Sequence, residues 1–356
     1  MRRVHNFSAG PAALPDPVRD RLGELFAVPS DRRPSLVEVS HRGRQFAAVA
    51  EELLERLKRL MALGQDHAVL LLQGGANLQF AWVPMNLAAN RTAAYLITGH
   101  WGRRALAEAE RVGRAVVAGD SAVCDYTAIP EIGHLPTDCA YLHYTGNETI
   151  HGVQFDLPPA VGVPLAADLS SEFLSRPYPY RDLGLAYAGA QKNLGVAGLT
   201  VVVIRHDLLK RIPEGLPKYF DYRTWVASDS LYNTPCSFAW VVALEVLRWI
   251  DDAGGLAVIG ERNAAKADAL YQAIDGSDFY HNGVEPGCRS QMNVPFRLAN
   301  HELESRFVAE AEQVGMPGLK GHRALGGIRA SLYNALSSEA VESLVEFMVE
   351  FERRYG

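Results

Sequence analysis

The residue most able to do covalent chemistry in this chain is a lysine on a glycine-containing turn. Lys192 lies in the segment Gly189-Ala190-Gln191-Lys192-Asn193, directly after a weak predicted strand over residues 185–188. A lysine on such a turn is ordinarily a solvated surface residue, because its ammonium group is strongly hydrated. Asp168 changes that interpretation, since it follows the apolar segment 161–167, which predicts a buried strand.

A lysine and an aspartate at the ends of two strands match the needs of pyridoxal phosphate. In a parallel sheet, ligands bind at the carboxyl ends of the strands. Pyridoxal phosphate requires an amine that forms an imine and a carboxylate that keeps the pyridine nitrogen protonated. Lys192 is therefore the candidate amine and Asp168 the candidate carboxylate. Asp168 also fits a plain helix cap for residues 169–171.

A second glycine-containing turn is a candidate phosphate site. Gly74-Gly75-Ala76-Asn77 joins a predicted strand over 68–72 to a predicted helix that begins at residue 77. A helix N-terminus offers free N–H groups and positive potential to a phosphate. The same residues fit an ordinary glycine turn with Asn77 as the N-cap. The local pattern leaves both interpretations open.

Composition and charge narrow the class of protein. The chain has 356 residues, of which 48% are hydrophobic and 21% charged, as in ordinary soluble globular proteins. This length exceeds the size at which one hydrophobic core keeps growing, which predicts two domains. The net charge of −6 disfavours nucleic acid as a partner. No segment has the pattern of a signal peptide or a membrane span.

The four cysteines give no indication of a disulfide framework or a zinc site, because none forms a Cys-x-x-Cys pair. We expect no metal. Reduced thiols favour a cytoplasmic location.

Short apolar segments alternate with helical patterns, which predicts a mostly parallel sheet covered by helices. The predicted strands of this sheet are residues 68–72, 93–97, 115–118, 140–144, 161–167, 185–188 and 199–204. A helix is predicted over 45–63, and another starts at Thr234-Pro235 with Thr234 as the N-cap and Phe238 in its apolar stripe. Later segments predict a smaller α/β unit with helices over 256–274, 302–314 and from 338, and strands over 292–298 and 328–331.

Several motifs in one order resemble the phosphoserine aminotransferase family of class-V pyridoxal-phosphate enzymes. The match runs from residues 6–12 to residues 351–354. It includes Val39-Ser-His-Arg-Gly43, Asn147-Glu-Thr149, Ala188-Gly-Ala-Gln-Lys-Asn193, Tyr232-Asn-Thr-Pro235, Arg289-Ser-Gln-Met-Asn-Val-Pro-Phe296, Leu319-Lys-Gly-His-Arg323 and Gly326-Gly-Ile-Arg-Ala-Ser331. One such motif alone would be a weak signal, whereas the ordered set is specific.

The resemblance implies an α/β fold, namely the pyridoxal-phosphate-dependent transferase fold type I (aspartate-aminotransferase-like). This fold has a large domain with a mostly parallel sheet plus a smaller C-terminal α/β domain. Residues 1–15 would be an N-terminal arm that packs with the small domain. Residues 16–257 would form the large cofactor-binding domain and residues 258–356 the small domain.

The resemblance also implies residue roles at the cofactor. Lys192 and Asp168 would be catalytic. The implied cofactor-binding residues are Ala76, Asn77, Trp101, Thr149, Asp168, Gln191, Lys192, Asn233 and Thr234. Trp101 would stack on the pyridine ring and Thr149 would donate to the phenolic oxygen, although a core aromatic and a turn hydroxyl are the plain alternatives. Asn233 and Thr234 would reach the cofactor phosphate of the other subunit, or would simply cap a helix.

The substrates require cations, because glutamate and phosphoserine each carry an α-carboxylate and a second anion. The resemblance assigns the α-carboxylate to Arg329. It assigns the second anion to His41, Arg42, His322 and Arg323. Loop arginines are otherwise ordinarily solvated surface charges. Many family members carry arginine where this chain has Asn77, so that one cationic contact is missing here.

The implied reaction transfers the amino group of L-glutamate to 3-phosphohydroxypyruvate, giving O-phospho-L-serine and 2-oxoglutarate for serine biosynthesis. A related reaction on phosphohydroxythreonine in vitamin B6 synthesis is implied for some members. We expect a cytoplasmic homodimer with shared active sites and neither nucleic-acid nor membrane partners. One alternative is another class-V enzyme, such as a small-substrate aminotransferase or a cysteine desulfurase that uses Cys288. The other is a catalytically silent binding protein on the same fold.

Overall fold

A computed structural model describes residues 4–27, 34–36 and 38–356. Among these residues, seven strands form the larger sheet. They are β1 (His67–Leu72), β2 (Thr92–Ile97), β3 (Arg114–Asp120), β4 (Cys139–Thr145), β5 (Leu165–Asp168), β6 (Leu185–Gly189) and β7 (Thr200–Arg205). Their order is β1-β7-β6-β5-β4-β2-β3.

The larger sheet is mostly parallel, as the alternating pattern predicts. β7 is the exception, because it runs antiparallel to both of its neighbours, β1 and β6. β5 and β6 are adjacent and parallel, with Asp168 paired in register with Tyr187. Asp168 and the turn after β6 therefore lie at the same edge of the sheet.

Helices cover both faces of this sheet. The helices of this part of the chain are α1 (Asp16–Phe26), α2 (Arg44–Leu60), α3 (Ala76–Leu87), α4 (His100–Val112), α5 (His206–Leu209), α6 (Tyr222–Ala227) and α7 (Ser237–Asp252). One buried cluster joins α1, α2 and α7 to the sheet, and a second joins α3, α4 and α6 to its other face. β5 and β6 are entirely buried, which agrees with a parallel sheet covered on both faces.

A smaller sheet lies in the C-terminal part of the chain. Its strands are β8 (Tyr280–His281), β9 (Asn293–Leu298) and β10 (Ile328–Ser331), all antiparallel. Its helices are α8 (Gly255–Asp275), α9 (Glu304–Gln313) and α10 (Ser338–Tyr355). A separate buried cluster packs these elements together.

The N-terminal arm contacts this smaller sheet. Phe7 is completely buried within its cluster, and the Phe7 carbonyl accepts a hydrogen bond from the Ser331 N–H at 3.2 Å. The division into residues 1–15, 16–257 and 258–356 stays a prediction. Its last boundary falls inside the first turn of α8, since that helix begins at Gly255.

Two local predictions at the start of α7 are wrong, and at α3 the interpretation of Asn77 as a helix cap, one of two that the sequence leaves open, does not hold. α7 begins at Ser237 with Cys236 as its N-cap, so neither Thr234 nor Pro235 opens the helix. Phe238 is 42% exposed and does not face the core. α3 begins at Ala76 with Gly75 as N-cap, so Asn77 lies inside the first turn and caps nothing.

One predicted strand is shorter than expected. β5 begins only at Leu165, because residues 161–164 form bends. No helix in the described ranges is long and apolar enough to cross a membrane.

Candidate active site

Lys192 lies on the turn that follows β6, with its side chain half-buried. Its Nζ donates a hydrogen bond to Oγ1 of Thr149 at 2.9 Å. Burial lowers the pKa of Lys192 to about 8, although the negative charge of Asp168 opposes the shift. A lysine with this pKa has an appreciable neutral fraction near physiological pH, which a nucleophilic amine requires.

The N-terminal arm covers the Lys192 turn. The N–H of Ala12 donates to the carbonyl of Gln191 at 2.9 Å. A Cβ on Gly10 would lie 3.5 Å from Cγ of Lys192. The arm is thus part of the wall that keeps water from the lysine stem.

Asp168 is 5% exposed and is held by a local turn. Its Oδ1 accepts hydrogen bonds from Ser170, at 2.9 Å from the N–H and 2.6 Å from the hydroxyl. The Ser170 hydroxyl in turn accepts from the N–H of Gly189 at 3.2 Å. Burial raises the pKa of Asp168 above its usual value. A cationic nitrogen placed against this carboxyl would reverse the shift by stabilising the ionised form.

Seven of the nine predicted cofactor-binding residues line one cavity of about 170 Å³. They are Ala76, Asn77, Trp101, Thr149, Asp168, Gln191 and Lys192. Gly74 and Gly75 complete one wall with positive φ angles of 98° and 71°, which only glycine adopts readily. This wall is the N-terminus of α3, whose first N–H groups have no partner within the helix. The cavity thus combines an anion-binding end with a lysine and a buried carboxyl.

Trp101 is positioned by a buried glutamate that sequence reasoning missed. Glu148 is fully buried, and its Oε1 accepts a hydrogen bond from the Trp101 N–H at 2.7 Å, at the start of α4. Gly99 is required at this point, because a Cβ there would lie 2.4 Å from Cγ of Glu148. Glu148 precedes Thr149, so it connects the tryptophan to the lysine's hydrogen-bond acceptor.

Several buried polar atoms in the cavity wall have no protein partner among the described residues. They are Nε1 of Trp101, Oγ1 of Thr145 and Oδ1 of Asn147. Buried polar groups are normally hydrogen-bonded, and unsatisfied ones indicate a ligand or water. An amine, a carboxyl, a helix N-terminus suited to a phosphate and unsatisfied polar atoms lie around one cavity, and this set fits pyridoxal phosphate.

Three of the predicted substrate-binding residues lie near this cavity. Nη1 of Arg329 donates to the carbonyl of Thr149 at 3.4 Å, and its buried Nε has no partner in the described structure. The ring of His322 lies 5.4 Å from the ring of His100, the neighbour of Trp101. Arg323 follows His322 and lies close enough to lower the pKa values of both histidines.

The other predicted residues are not brought to the cavity by the contacts within one chain. Asn233 and Thr234 lie beside Gln73, whose Nε2 donates to the Thr234 carbonyl at 2.7 Å. His41 and Arg42 lie on the turn before α2. The described contacts of these two residues include none to the cavity walls.

Cys288 is poorly suited to act as a desulfurase nucleophile. It is 7% exposed, and burial raises the pKa of its thiol above the usual value. A reactive cysteine requires the opposite shift and better access.

Comparisons with known proteins agree with this geometry. The class-V aminotransferase family model matches residues 4–344. Curated phosphoserine aminotransferases from Geobacillus kaustophilus and Pseudomonas aeruginosa are 48% and 46% identical to this chain, over 100% of it and 100% and 99% of their own lengths. The solved phosphoserine aminotransferase from Bacillus circulans subsp. alkalophilus has a TM-score of 0.96 at 47% identity, covering 99% of both chains.

A second solved structure, a pyridoxal-phosphate-bound phosphoserine aminotransferase from Trichomonas vaginalis, has a TM-score of 0.93 at 37% identity. It covers 98% of this chain and 100% of its own. The fold and the cavity therefore define a class-V aminotransferase, a pyridoxal-phosphate-dependent transaminase of fold type I. Within that class, the chain belongs to the phosphoserine aminotransferase family.

Proposed function

We propose that this chain transfers the amino group of L-glutamate to 3-phosphohydroxypyruvate, forming O-phospho-L-serine and 2-oxoglutarate for serine biosynthesis. The observation that carries the proposal is one cavity lined by Lys192 and Asp168, with Arg329 bonded to the backbone of the cavity residue Thr149. The full-length relatives of this chain are phosphoserine aminotransferases.

Several residues of the cavity would hold the cofactor, and Lys192 would also transfer a proton. When bound, pyridoxal phosphate supplies a protonated ring that stabilises negative charge developing at the substrate α-carbon. The N-terminus of α3 would hold the phosphate, Trp101 would pack against the ring, and Asp168 would keep the ring nitrogen protonated. Ser170 keeps the carboxyl of Asp168 aimed through its two hydrogen bonds.

Lys192 has two roles in this proposal. Its Nζ would hold the cofactor covalently between turnovers. When Nζ is free, it would accept the proton from the substrate α-carbon, for which a pKa lowered to about 8 is suitable. Thr149 Oγ1 accepts a hydrogen bond from the free amine and so keeps it beside the reacting carbon.

Arg329 would hold the α-carboxylate. Its guanidinium is partly buried, and burial lowers its pKa from the usual value, so an incoming carboxylate would supply the missing counter-charge. A bidentate pair at that position fixes the orientation of the α-carbon.

We further propose a cytoplasmic homodimer in which Asn233 and Thr234, and also His41 and Arg42, complete the neighbouring subunit's site. Tyr232, which precedes Asn233, and Phe238, the second residue of α7, are 41% and 42% exposed. Exposed aromatic side chains beside polar residues are typical of interfaces between subunits.

The test is a set of half-reactions with the purified holoprotein. Visible absorbance should change when L-glutamate or O-phospho-L-serine is added, and far more slowly with L-alanine or L-serine. A protein that prefers serine or alanine would be a small-substrate aminotransferase instead. Borohydride reduction should leave a stable cofactor adduct on Lys192, whereas a silent binding protein would show neither response.

A further inference from the structure

His100 is a histidine beside the cavity residue Trp101 that none of the family-like motifs includes. It is the first residue of α4 and precedes Trp101. The His100 ring lies 5.3 Å from the Trp101 ring, at 88° to it, and 5.4 Å from the His322 ring. His100 therefore lies between a wall of the cofactor cavity and the loop that carries His322 and Arg323.

The two imidazoles differ in their hydrogen bonds. Nδ1 of His322 accepts from the N–H of Ala324 at 3.2 Å, which leaves the ring proton on Nε2. Among the described residues, His100 has charged neighbours but no side-chain hydrogen bond that shifts its pKa. His100 can therefore gain a second proton without losing a contact, whereas His322 would lose the bond from Ala324.

Both imidazoles lie where the protonated form is disfavoured in the absence of an anion. Burial is the main cause that lowers the pKa values of His100 and His322. The groups that face His100 are Arg104 on its own helix, Glu148 and His151 on the loop after β4, and His322 and Arg323 on the loop before β10. Glu148 alone among them favours the charged form. A phosphate dianion bound beside both rings would raise the pKa values of His100 and His322, since an opposite charge stabilises the imidazolium.

We propose that His100 determines specificity for the phosphorylated substrate, taking up a proton from solvent and donating it in a hydrogen bond when the phosphate group binds beside the paired rings of His100 and His322. The inference rests on the proposed function and identifies its second-anion site. Asn77 lines the cavity with a neutral side chain, so His100 supplies positive charge that this wall lacks. A carboxylate carries one negative charge rather than two, so glutamate should bind with less proton uptake.

The experiment uses the holoenzyme and probes that do not react. 3-Phospho-D-glycerate has a phosphate but neither an amine nor a keto group, and glutarate matches the two carboxylates of glutamate. Calorimetric titration at pH 7.5 in two buffers of different ionisation enthalpy counts the protons taken up. We expect at least about half a proton per site with 3-phosphoglycerate and close to none with glutarate. Affinity for 3-phosphoglycerate should rise as the pH falls from 8 toward about 6.5, below which the phosphate itself is protonated.

His100→Gln should abolish the proton uptake and weaken 3-phosphoglycerate about tenfold, the effect of losing a hydrogen bond between charged groups. Its affinity for glutarate should change less than about threefold. His206→Gln is the matched control, because His206 is exposed at the opposite end of the sheet. His100→Phe is a second variant that keeps a ring against Trp101.

Unchanged proton uptake or unchanged 3-phosphoglycerate affinity in His100→Gln and His100→Phe would overturn the assignment. So would a wild-type protein that binds 3-phosphoglycerate without proton uptake. The half-reaction with O-phospho-L-serine tests the proposed function separately. A negative result in that half-reaction would show that O-phospho-L-serine is not a substrate. The probe titrations would still decide whether His100 binds phosphate.

Discussion

Nζ of Lys192 donates to Oγ1 of Thr149 at 2.9 Å, and this bond joins two turns that are 43 residues apart in sequence. It gives the lysine one neutral acceptor. Burial disfavours the charged form of the amine, and the negative charge of Asp168 only partly offsets that effect. The arrangement holds Nζ in place while the pKa of Lys192 is lowered to about 8. Thr149 thus sets the position of Nζ, whereas burial sets its protonation state.

Lys192→Ala should bind pyridoxal phosphate without a covalent bond and lose transamination by about 10⁴-fold or more, since both attachment and proton transfer depend on Nζ. The visible spectrum should be that of the free aldehyde. Thr149→Val is an informative comparison, because it removes only the hydroxyl and should cost about tenfold in rate. Transamination near the wild-type rate in Lys192→Ala would exclude the catalytic role.

Asp168→Asn should lose much more rate than cofactor affinity, roughly 10³-fold against tenfold, because the carboxylate acts mainly as carbanion charge develops. Ser170→Ala should have the same pattern but smaller, about tenfold in rate, since it removes one of the two bonds that orient Asp168. Rate constants of the glutamate half-reaction and equilibrium dialysis of the cofactor measure the two effects. A loss of affinity with an unchanged rate would contradict the account of Asp168.

The order of strands and helices could be predicted from sequence because local pattern largely determines it. The predicted helix over 45–63 corresponds to α2 (Arg44–Leu60), and the predicted strand over 68–72 corresponds to β1 (His67–Leu72). The direction of each strand was harder to predict from sequence, since an apolar segment such as β7 has the same composition whichever way it runs. The Thr234-Pro235 prediction failed because Thr234 is used elsewhere, with its carbonyl accepting from Gln73.

The residues around Lys192 were predictable to the extent that they lie in motifs. Ser170 could have been found, because a serine two residues after an aspartate commonly donates to its carboxylate. Glu148 lies in the motif Asn147-Glu-Thr149, but its contact with Trp101 could not be predicted, and neither could that of His100, since both come from the packing of the start of α4. No local pattern reports a contact between segments so far apart in the chain.

Arg329→Lys should weaken all amino-acid substrates together by about tenfold to a hundredfold, because one ammonium cannot reproduce two parallel hydrogen bonds to a carboxylate. Arg42→Ala should instead weaken glutamate and phosphoserine and spare alanine. Half-reaction kinetics with these three amino acids separate the two patterns. Selective loss of phosphoserine in Arg329→Lys would exchange the two assignments.

Lys266, a buried residue of α8, connects that helix to the loop after β10. Its Nζ donates to the carbonyls of Leu332, Tyr333 and Leu336, each at 2.9 Å. Within the same loop, the Asn334 N–H donates to Oδ1 of Asn193 at 3.0 Å, and Asn193 follows Lys192. Lys266 thus holds a loop that in turn holds the Lys192 turn.

Lys266→Met should lower the free energy of unfolding by about 2–4 kcal/mol, because three buried carbonyls lose their donor. Burial lowers the pKa of Lys266 to about 7 in the native protein. Between that value and the usual value of a lysine, the unfolded chain binds more protons, so this residue makes stability rise with pH. Urea denaturation at pH 7 and pH 9 should show a smaller rise in Lys266→Met than in the wild type. An equal rise in both would refute the linkage.

If the proposed homodimer has shared active sites, two inactive variants should restore each other's activity in mixed dimers. Lys192→Ala should be inactive because it lacks the amine, and a double variant with Asn233→Ala and Thr234→Ala should be strongly impaired in phosphate binding. In a mixed dimer, one site has both defects, and the other combines an intact Lys192 with an intact Asn233 and Thr234 from its partner. Equal amounts, dissociated and reassorted at random, make half of the dimers mixed, so about a quarter of all sites should be active.

The complementation assay needs two controls. Each variant alone, taken through the same dissociation and reassembly, should stay at its own low activity. Subunit exchange must be shown independently, for instance by mass-tagged chains forming mixed dimers. If exchange occurs and activity does not return, Asn233 and Thr234 serve their own chain, where the bond from Gln73 to the Thr234 carbonyl already holds them. Recovery near a quarter would establish that each site is built from two chains, since neither variant alone can form a complete one.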